Sequence, residues 1–281
     1  MIVFLNGKFV SEDQAQVSVF DRSFLYGDGL FETMRVTHGH PVRWTEHLQR
    51  MAAGAKLLGI RLPCSAHALR TFAEKLVLRN RMPESLLRIT VSRGVGRRGY
   101  SPKGAVSPTL VMTLYPAPPV SVESPPGWRL HIASPRLPAE EKLSYYKTCN
   151  KLAQVLARAE ADHAGADEAL LCNTSGFVVE GASSNLFWIR GNQLFTPPLI
   201  SGVLAGVTRG MVLKLASQLG LKTCEANIRP DALRTVDGVF LSLSSIGMAE
   251  GISLNGKRLK RSPLTLELHR AYVGWLGRET N

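Results

Sequence analysis

The sequence predicts an α+β protein of two domains, divided near residue 120. In both halves of the 281-residue chain, stretches with helical apolar spacing are interleaved with stretches that alternate apolar and polar residues. Five prolines fall between Tyr115 and Trp128, where neither a helix nor a central strand can continue. A hydrophobic content of 44% is ample for sizeable cores. The expected layout is an N-terminal domain over 1–118, a proline-rich linker over 119–127 and a C-terminal domain over 128–281.

The chain opens with two short strands, residues 2–5 and 8–10, around Asn6-Gly7, a dipeptide suited to a tight hairpin. This apolar run is too short for a signal sequence, and no later stretch approaches the roughly 20 apolar residues of a membrane span. A cytoplasmic protein is therefore expected. Helices follow at about Thr45 to Leu58 and Ser65 to Asn80, then strands at 86–92 and 109–115. In the first of these strands Leu87, Ile89 and Val91 alternate with Arg88, Thr90 and Ser92. Beyond the prolines, Trp128 to Ala133 reads as a strand and 148–163 as a helix. Ala169 to Cys172 is a strand that turns at Asn173–Gly176 into Phe177–Val179. Strands Leu186 to Ile189 and Leu194 to Thr196 flank Gly191-Asn192, a helix runs from Val207 to Leu219, and strands lie near 239–243 and 252–254. No internal repeat is present.

The formal net charge is +12, but Lys and Arg recur throughout and form no one-sided helical stripe. Such a balance attracts anions generally, so the expected partner is a small anionic substrate, with neither nucleic acid nor membrane called for. Cys64, Cys149, Cys172 and Cys224 include no C-x-x-C pair, so no disulfide framework and no metal site is expected. Gly94, Gly96 and Gly99 have the G-x-G-x-x-G spacing of a dinucleotide turn and follow a strand. Tyr100, Ser101 and Pro102 come next and do not start a helix, so a dinucleotide site is not the expectation.

Four places could carry chemistry, and each alone also has a plain structural reading. Lys147, in "SYYKTCNKLAQVLARAEADHAG", precedes a helix whose Leu152, Val155, Leu156 and Ala159 fall on one face, with Thr148 or Asn150 as cap and Gly165 as stop. The positive end of that helix would depress its pKa, as suits an amine that forms imines. Glu180 ends the strand in "GFVVEG" on the side of Val178, beside the small residues of "EGASSN"; a buried carboxylate there needs a cationic partner. In "GVLAGVTRGMV" a glycine leads into a helix whose Val207 and Thr208 amides, with the Thr208 hydroxyl, suit a phosphate. Arg50, sharing a helix face with Gly54 and Leu57, is either solvated or reaches the same phosphate.

The order of these elements, with "VSVFDRSFLYGDGLFETMRV" at 17–36, "VVEGASSNLF" and "TPPLISGVLAGVTR", closely resembles the fold-type IV pyridoxal-phosphate enzymes. These include branched-chain and D-amino-acid aminotransferases and aminodeoxychorismate lyases. The resemblance implies a D-amino-acid-aminotransferase-like two-domain fold, a homodimer, and pyridoxal phosphate in the cleft between domains. Lys147 would form the Schiff base and Glu180 would pair with the pyridine nitrogen. Arg50, Val207, Thr208, Ser244 and Ser245 would hold the phosphate, Leu204 would pack on the ring, and Ser183 and Ser184 would line the cofactor. Arg98 and Tyr100 match an arginine and a histidine that trap a carboxylate in the D-amino-acid aminotransferases; with Phe31 they are the expected substrate contacts. "RGYSP" and "KTCNKLAQVLAR" are most like the lyases, whereas Glu32 in "FETM" is shared with aminotransferases and "MAEGIS" at 248–253 lacks the proline usual in lyases. The expected function is 4-amino-4-deoxychorismate lyase, forming 4-aminobenzoate and pyruvate toward folate. A D-amino-acid or branched-chain transaminase is the alternative, and a non-catalytic basic binding protein the third.

Overall fold

The computed structural model of the chain describes residues 1–279, which form two compact units. The first comprises Met1–Pro118 and Tyr146–Asn150. It is built on a six-stranded antiparallel sheet in the order Lys8–Ser11, Ile2–Leu5, Thr109–Pro116, Ser85–Ser92, Gly29–Thr37, His40–Pro41. Alternation decides its faces. Leu30, Met34, Leu87, Ile89, Val91, Leu110 and Met112 form a core with Leu48, Met51 and Ala55 of the Trp44–Leu58 helix and Leu69, Ala73 and Leu76 of the Ala66–Asn80 helix. Each buried leucine, isoleucine, valine or methionine among them contributes roughly 1.5–3 kcal/mol. Phe31, Thr33, Arg88 and Thr90 occupy the opposite face, aligned by the pairings Phe31 to Thr90 and Thr33 to Arg88.

The Gly29–Thr37 strand was not among the expected elements, although "VSVFDRSFLYGDGLFETMRV" was singled out as a motif. It is buried almost throughout, including Glu32 and Arg35, so it lacks the polar alternation that marks a half-buried strand. A short helix, Arg22–Tyr26, capped by the Asp21 side chain, precedes it.

The second unit comprises Pro119–Tyr145 and Lys151–Glu279. Its nine-stranded mixed sheet runs Lys222–Glu225, Gln193–Thr196, Asn185–Arg190, Gly238–Leu243, Gly247–Leu254, Gly127–Leu137, Glu168–Asn173, Val178–Gly181, with Lys257–Arg258 beside Gly247–Leu254. Val178–Gly181 also pairs with Asn185–Arg190 through Glu180 and Asn185, so the sheet returns on itself at that point. Helices Leu152–His163, Val207–Gln218 and Pro263–Glu279 belong to this unit. The proline-rich stretch is tied into it, since the Ser121 carbonyl lies 2.8 Å from His269 Nε2.

Two expectations are corrected. The helix expected from residue 148 begins at Leu152, after Lys151, and no side chain caps it. Its Leu152, Val155 and Leu156 are 71%, 60% and 52% exposed, while Ala157 and Ala161 are buried against Ala133, Ala169 and Leu171. Alanines let the helix backbone lie close on the sheet, so the smaller residues form the inward stripe. Secondly, Tyr146–Asn150 packs with the first unit, outside the 128–281 domain to which the sequence assigns it. Thr148 bridges Leu30, and the Phe31 and Cys149 amides donate to the Lys147 and Gly29 carbonyls, both at 2.9 Å. Among the described residues no helix is long and apolar enough to cross a membrane.

Candidate active site

In the first unit Lys147 lies in an extended segment held by its backbone to the start of the Gly29–Thr37 strand, not at a helix mouth. Its Nζ lies 4.8 Å from the centroid of the Phe31 ring. The Arg88 guanidinium lies over the same ring at 3.7 Å, a cation–π contact from the neighbouring strand. Burial pushes the Arg88 pKa down, and among the described residues no carboxylate pairs with it. Arg88 was read only as the polar side of a strand. Its signal was available: a guanidinium in mid-strand, facing away from the Leu87, Ile89 and Val91 core, on the face that Phe31 shares.

Behind Phe31, on the helix side of the sheet, Glu32 is 1% exposed. It accepts from Arg50 through Nε at 2.8 Å and Nη2 at 2.6 Å, and its Oε2 lies 2.7 Å from His47 Nδ1. Arg50, expected on a phosphate, thus has a bidentate grip on a buried carboxylate. Burial acts to raise the Glu32 pKa, but the hydrogen bonds and charges of His47 and Arg50 outweigh it and the net shift is downward. Burial dominates at His47 and lowers its pKa, so the neutral imidazole donates through Nδ1. Both groups resist protonation in the folded state, while the unfolded chain takes up protons below 6.5 at His47 and below 4.5 at Glu32. Stability is therefore fully present at neutral pH and is lost as pH falls. Thermal midpoints should drop from pH 7 to pH 5, and His47→Gln should flatten that drop; an equally steep profile in the variant would remove His47 from the account.

The loop carrying the three glycines is held in the same unit. Gly94 has φ +88°, and a Cβ there would strike the Ser107 carbonyl oxygen, so only glycine takes this turn. The carbonyls of Gly99, Tyr100 and Ser101 point at the buried Arg22. Arg97 and Arg98, just before this fastened tip, are exposed, and Tyr100 is 87% exposed with its ring edge-on to Tyr26 at 5.5 Å.

In the second unit Glu180 is 8% exposed and sits where the sheet returns on itself. Its Oε2 accepts from the Leu204 amide at 2.9 Å, and the Leu204 carbonyl accepts from Asn185 Nδ2 at 2.9 Å. The loop into the Val207–Gln218 helix is thereby pinned on both sides. Gly206 is the N-cap with no side-chain cap bond, and a Cβ on it would strike Asn185 Oδ1. The amides of the first turn are left for an anion, with Thr208 Oγ1 and Ser244 Oγ 3.4 Å apart beside them and Ser245 adjacent in sequence. The Ser183 and Ser184 hydroxyls donate to the buried Glu168 carboxyl group at 2.7 and 3.1 Å.

The family model for amino-transferase class IV matches residues 29–253. The chain belongs to the class IV aminotransferase family. A Methanocaldococcus jannaschii protein assigned as a branched-chain-amino-acid aminotransferase is 35% identical to this class IV aminotransferase over 258 residues, 92% of this chain and 89% of the relative. The structure of 4-amino-4-deoxychorismate lyase from Pseudomonas aeruginosa aligns with a TM-score of 0.81 and 33% identity, covering 95% of this chain and 96% of that one. The structure of the Escherichia coli branched-chain amino acid aminotransferase aligns with a TM-score of 0.91 and 27% identity, covering 100% of this chain and 96% of that one. Class IV aminotransferases work with pyridoxal phosphate, and the α+β fold and the cofactor stand as expected from the sequence.

Proposed function

We propose that this pyridoxal-phosphate enzyme is a 4-amino-4-deoxychorismate lyase, releasing 4-aminobenzoate and pyruvate. The observation that carries this reading is Arg88, a half-buried guanidinium that no carboxylate pairs with among the described residues, stacked on the ring that the Lys147 amine also faces. Such a pair suits a substrate with an amine and a carboxylate, a demand that an α-amino acid also meets. Arg98, on the projecting loop, would take the substrate's second carboxylate. The local likeness of "RGYSP" and "KTCNKLAQVLAR" to lyases supports the same choice.

The residues present fit the cofactor. The uncapped helix start at Val207, with the Thr208 and Ser244 hydroxyls, suits a phosphate monoester, and Glu180 is a fixed, nearly buried carboxylate suited to a protonated ring nitrogen. When bound, pyridoxal phosphate supplies an electron sink for the pair left on deprotonation beside the amine. Lys147 takes up that proton at Nζ from the amine-bearing ring carbon and returns it to the departing pyruvate. Arg88 and Arg98 would hold the carboxylates, and Leu204 would pack on the cofactor ring. Arg50 acts through Glu32, which it keeps ionised.

A transaminase reading has its own support in Glu32, shared with aminotransferases and built into the fold by His47 and Arg50. Incubation with aminodeoxychorismate, beside D-alanine or L-leucine with 2-oxoglutarate, separates the two. Release of 4-aminobenzoate faster than amine transfer is expected, and the reverse order would sink the lyase reading. Arg88→Met and Arg98→Ala should each lower kcat/KM for aminodeoxychorismate about ten- to hundredfold, since a charge-assisted contact that bound substrate shields from water contributes roughly 1.5–3 kcal/mol. Neither should change the cofactor's visible absorption, and a loss of absorption would reassign the residue to the cofactor. A cytoplasmic homodimer belongs to the same reading. Exposed Phe20 and Phe24, at 63% and 73%, are surfaces that a second copy would cover, which light scattering would test.

A further inference from the structure

The loop that carries Arg98 is held by a side chain that points away from its arginines. Arg22 is 3% exposed. Its Nη1 donates to the carbonyls of Gly99 and Ser101 at 2.9 and 3.1 Å, and its Nη2 to that of Tyr100 at 2.9 Å. Its Nε donates to Asp28 at 2.8 Å. Asp28 is shared: Arg93 grips it through Nε at 2.7 Å and Nη2 at 3.0 Å, and reaches the Leu58 and Gly59 carbonyls at the end of a core helix. The Arg22 guanidinium lies 5.0 Å from the Tyr26 ring centroid, and the Tyr26 hydroxyl accepts from the Gly99 amide at 3.1 Å. Three successive carbonyls and one amide of the loop tip are thus bound from beneath, and the chain of contacts runs back to the helix that supplies Arg50.

A guanidinium spends five donors in a rigid plane, so one Arg22 can fix three carbonyls and a carboxylate together. Holding the carbonyls of residues 99–101 fixes the backbone that directly follows Arg97 and Arg98, whose side chains are exposed. We propose that Arg22, anchored by Asp28 and Arg93, is a positioning residue that sets how Arg97, Arg98 and Tyr100 are presented, and so sets affinity for the substrate carboxylate without touching substrate. This rests on the reading above that Arg98 meets the substrate.

Arg22→Lys keeps the charge beside Asp28 and loses the fork. Trypsin cutting after Arg97 and Arg98 reads the loop directly, with or without activity. In this variant the nick should form at least about tenfold faster while the remaining chain stays resistant, because opening of the tip becomes local and cheap. KM for aminodeoxychorismate should rise about tenfold with kcat within about twofold, and the rise should vanish in an Arg98→Ala background. Unchanged nicking overturns the proposal. An unchanged KM overturns it also, provided that Arg98→Ala alone raises KM; if Arg98→Ala alone does nothing, the substrate reading of the loop has failed and nicking decides whether Arg22 holds the tip. Should Arg22→Lys not fold, Asp28→Asn removes the charge that anchors the Arg22 and Arg93 guanidinium groups and should speed nicking about two- to fivefold; no change there likewise overturns the proposal.

Discussion

Lys147→Ala should abolish turnover, by at least about a thousandfold, with the fold intact, since a positioned proton-transfer group alone contributes roughly 10²–10⁴-fold. The fold should survive because the segment is held by backbone bonds from Phe31 and Cys149 and by the bridge at Thr148, none of which uses the lysine side chain. The next lysine in sequence, Lys151, is the N-cap of the following helix, a position fixed by that helix. Borohydride reduction followed by peptide mapping should find the cofactor on Lys147. A label on another lysine, or a Lys147→Ala enzyme with measurable turnover, would sink the assignment.

The sequence reading singled out Lys147 for a local setting that the structure corrects. The reading placed it in the field of a helix N-terminus; the helix starts at Leu152, and what surrounds Lys147 is Phe31 and, behind the sheet, the Glu32, His47 and Arg50 group. Alternation and turn chemistry located the Ser85–Ser92 and Thr109–Pro116 strands and the two helices packed on them, because one face of each is polar. The Gly29–Thr37 strand escaped because it is buried on both faces, and with it went the contacts of Phe31 and Glu32. The Leu152–His163 helix was found with its faces exchanged, since periodicity alone cannot say whether large residues or alanines turn inward. The grip of Arg22 on the 99–101 carbonyls had no signal to find, as backbone acceptors look the same at every residue. Of the glycines at 94–99, the turn at Gly94 accounts for the first.

Glu180→Gln should keep the cofactor and lower the rate about 10²- to 10³-fold, the scale of losing one preorganised electrostatic contact in a water-poor site. The amide replaces the carboxylate almost isosterically. Its oxygen can still accept from the Leu204 amide, so the loop into the Val207 helix, with the uncapped start proposed for the phosphate, should stay where Glu180 and Asn185 pin it. What disappears is the negative charge, and with it the means of keeping a ring nitrogen protonated. Glu180→Ala removes the acceptor as well, and the Leu204 loop is then held from one side only. That variant should therefore lose cofactor affinity, by about tenfold, in addition to rate. The two variants together separate charge from anchoring: visible absorption under titration with pyridoxal phosphate reads the anchor, and turnover at saturating cofactor reads the charge. Near-normal turnover in Glu180→Gln would mean that Glu180 serves the loop alone. Equal cofactor affinity in Glu180→Ala and the unmodified enzyme would mean that Asn185 and the helix start hold the phosphate without it.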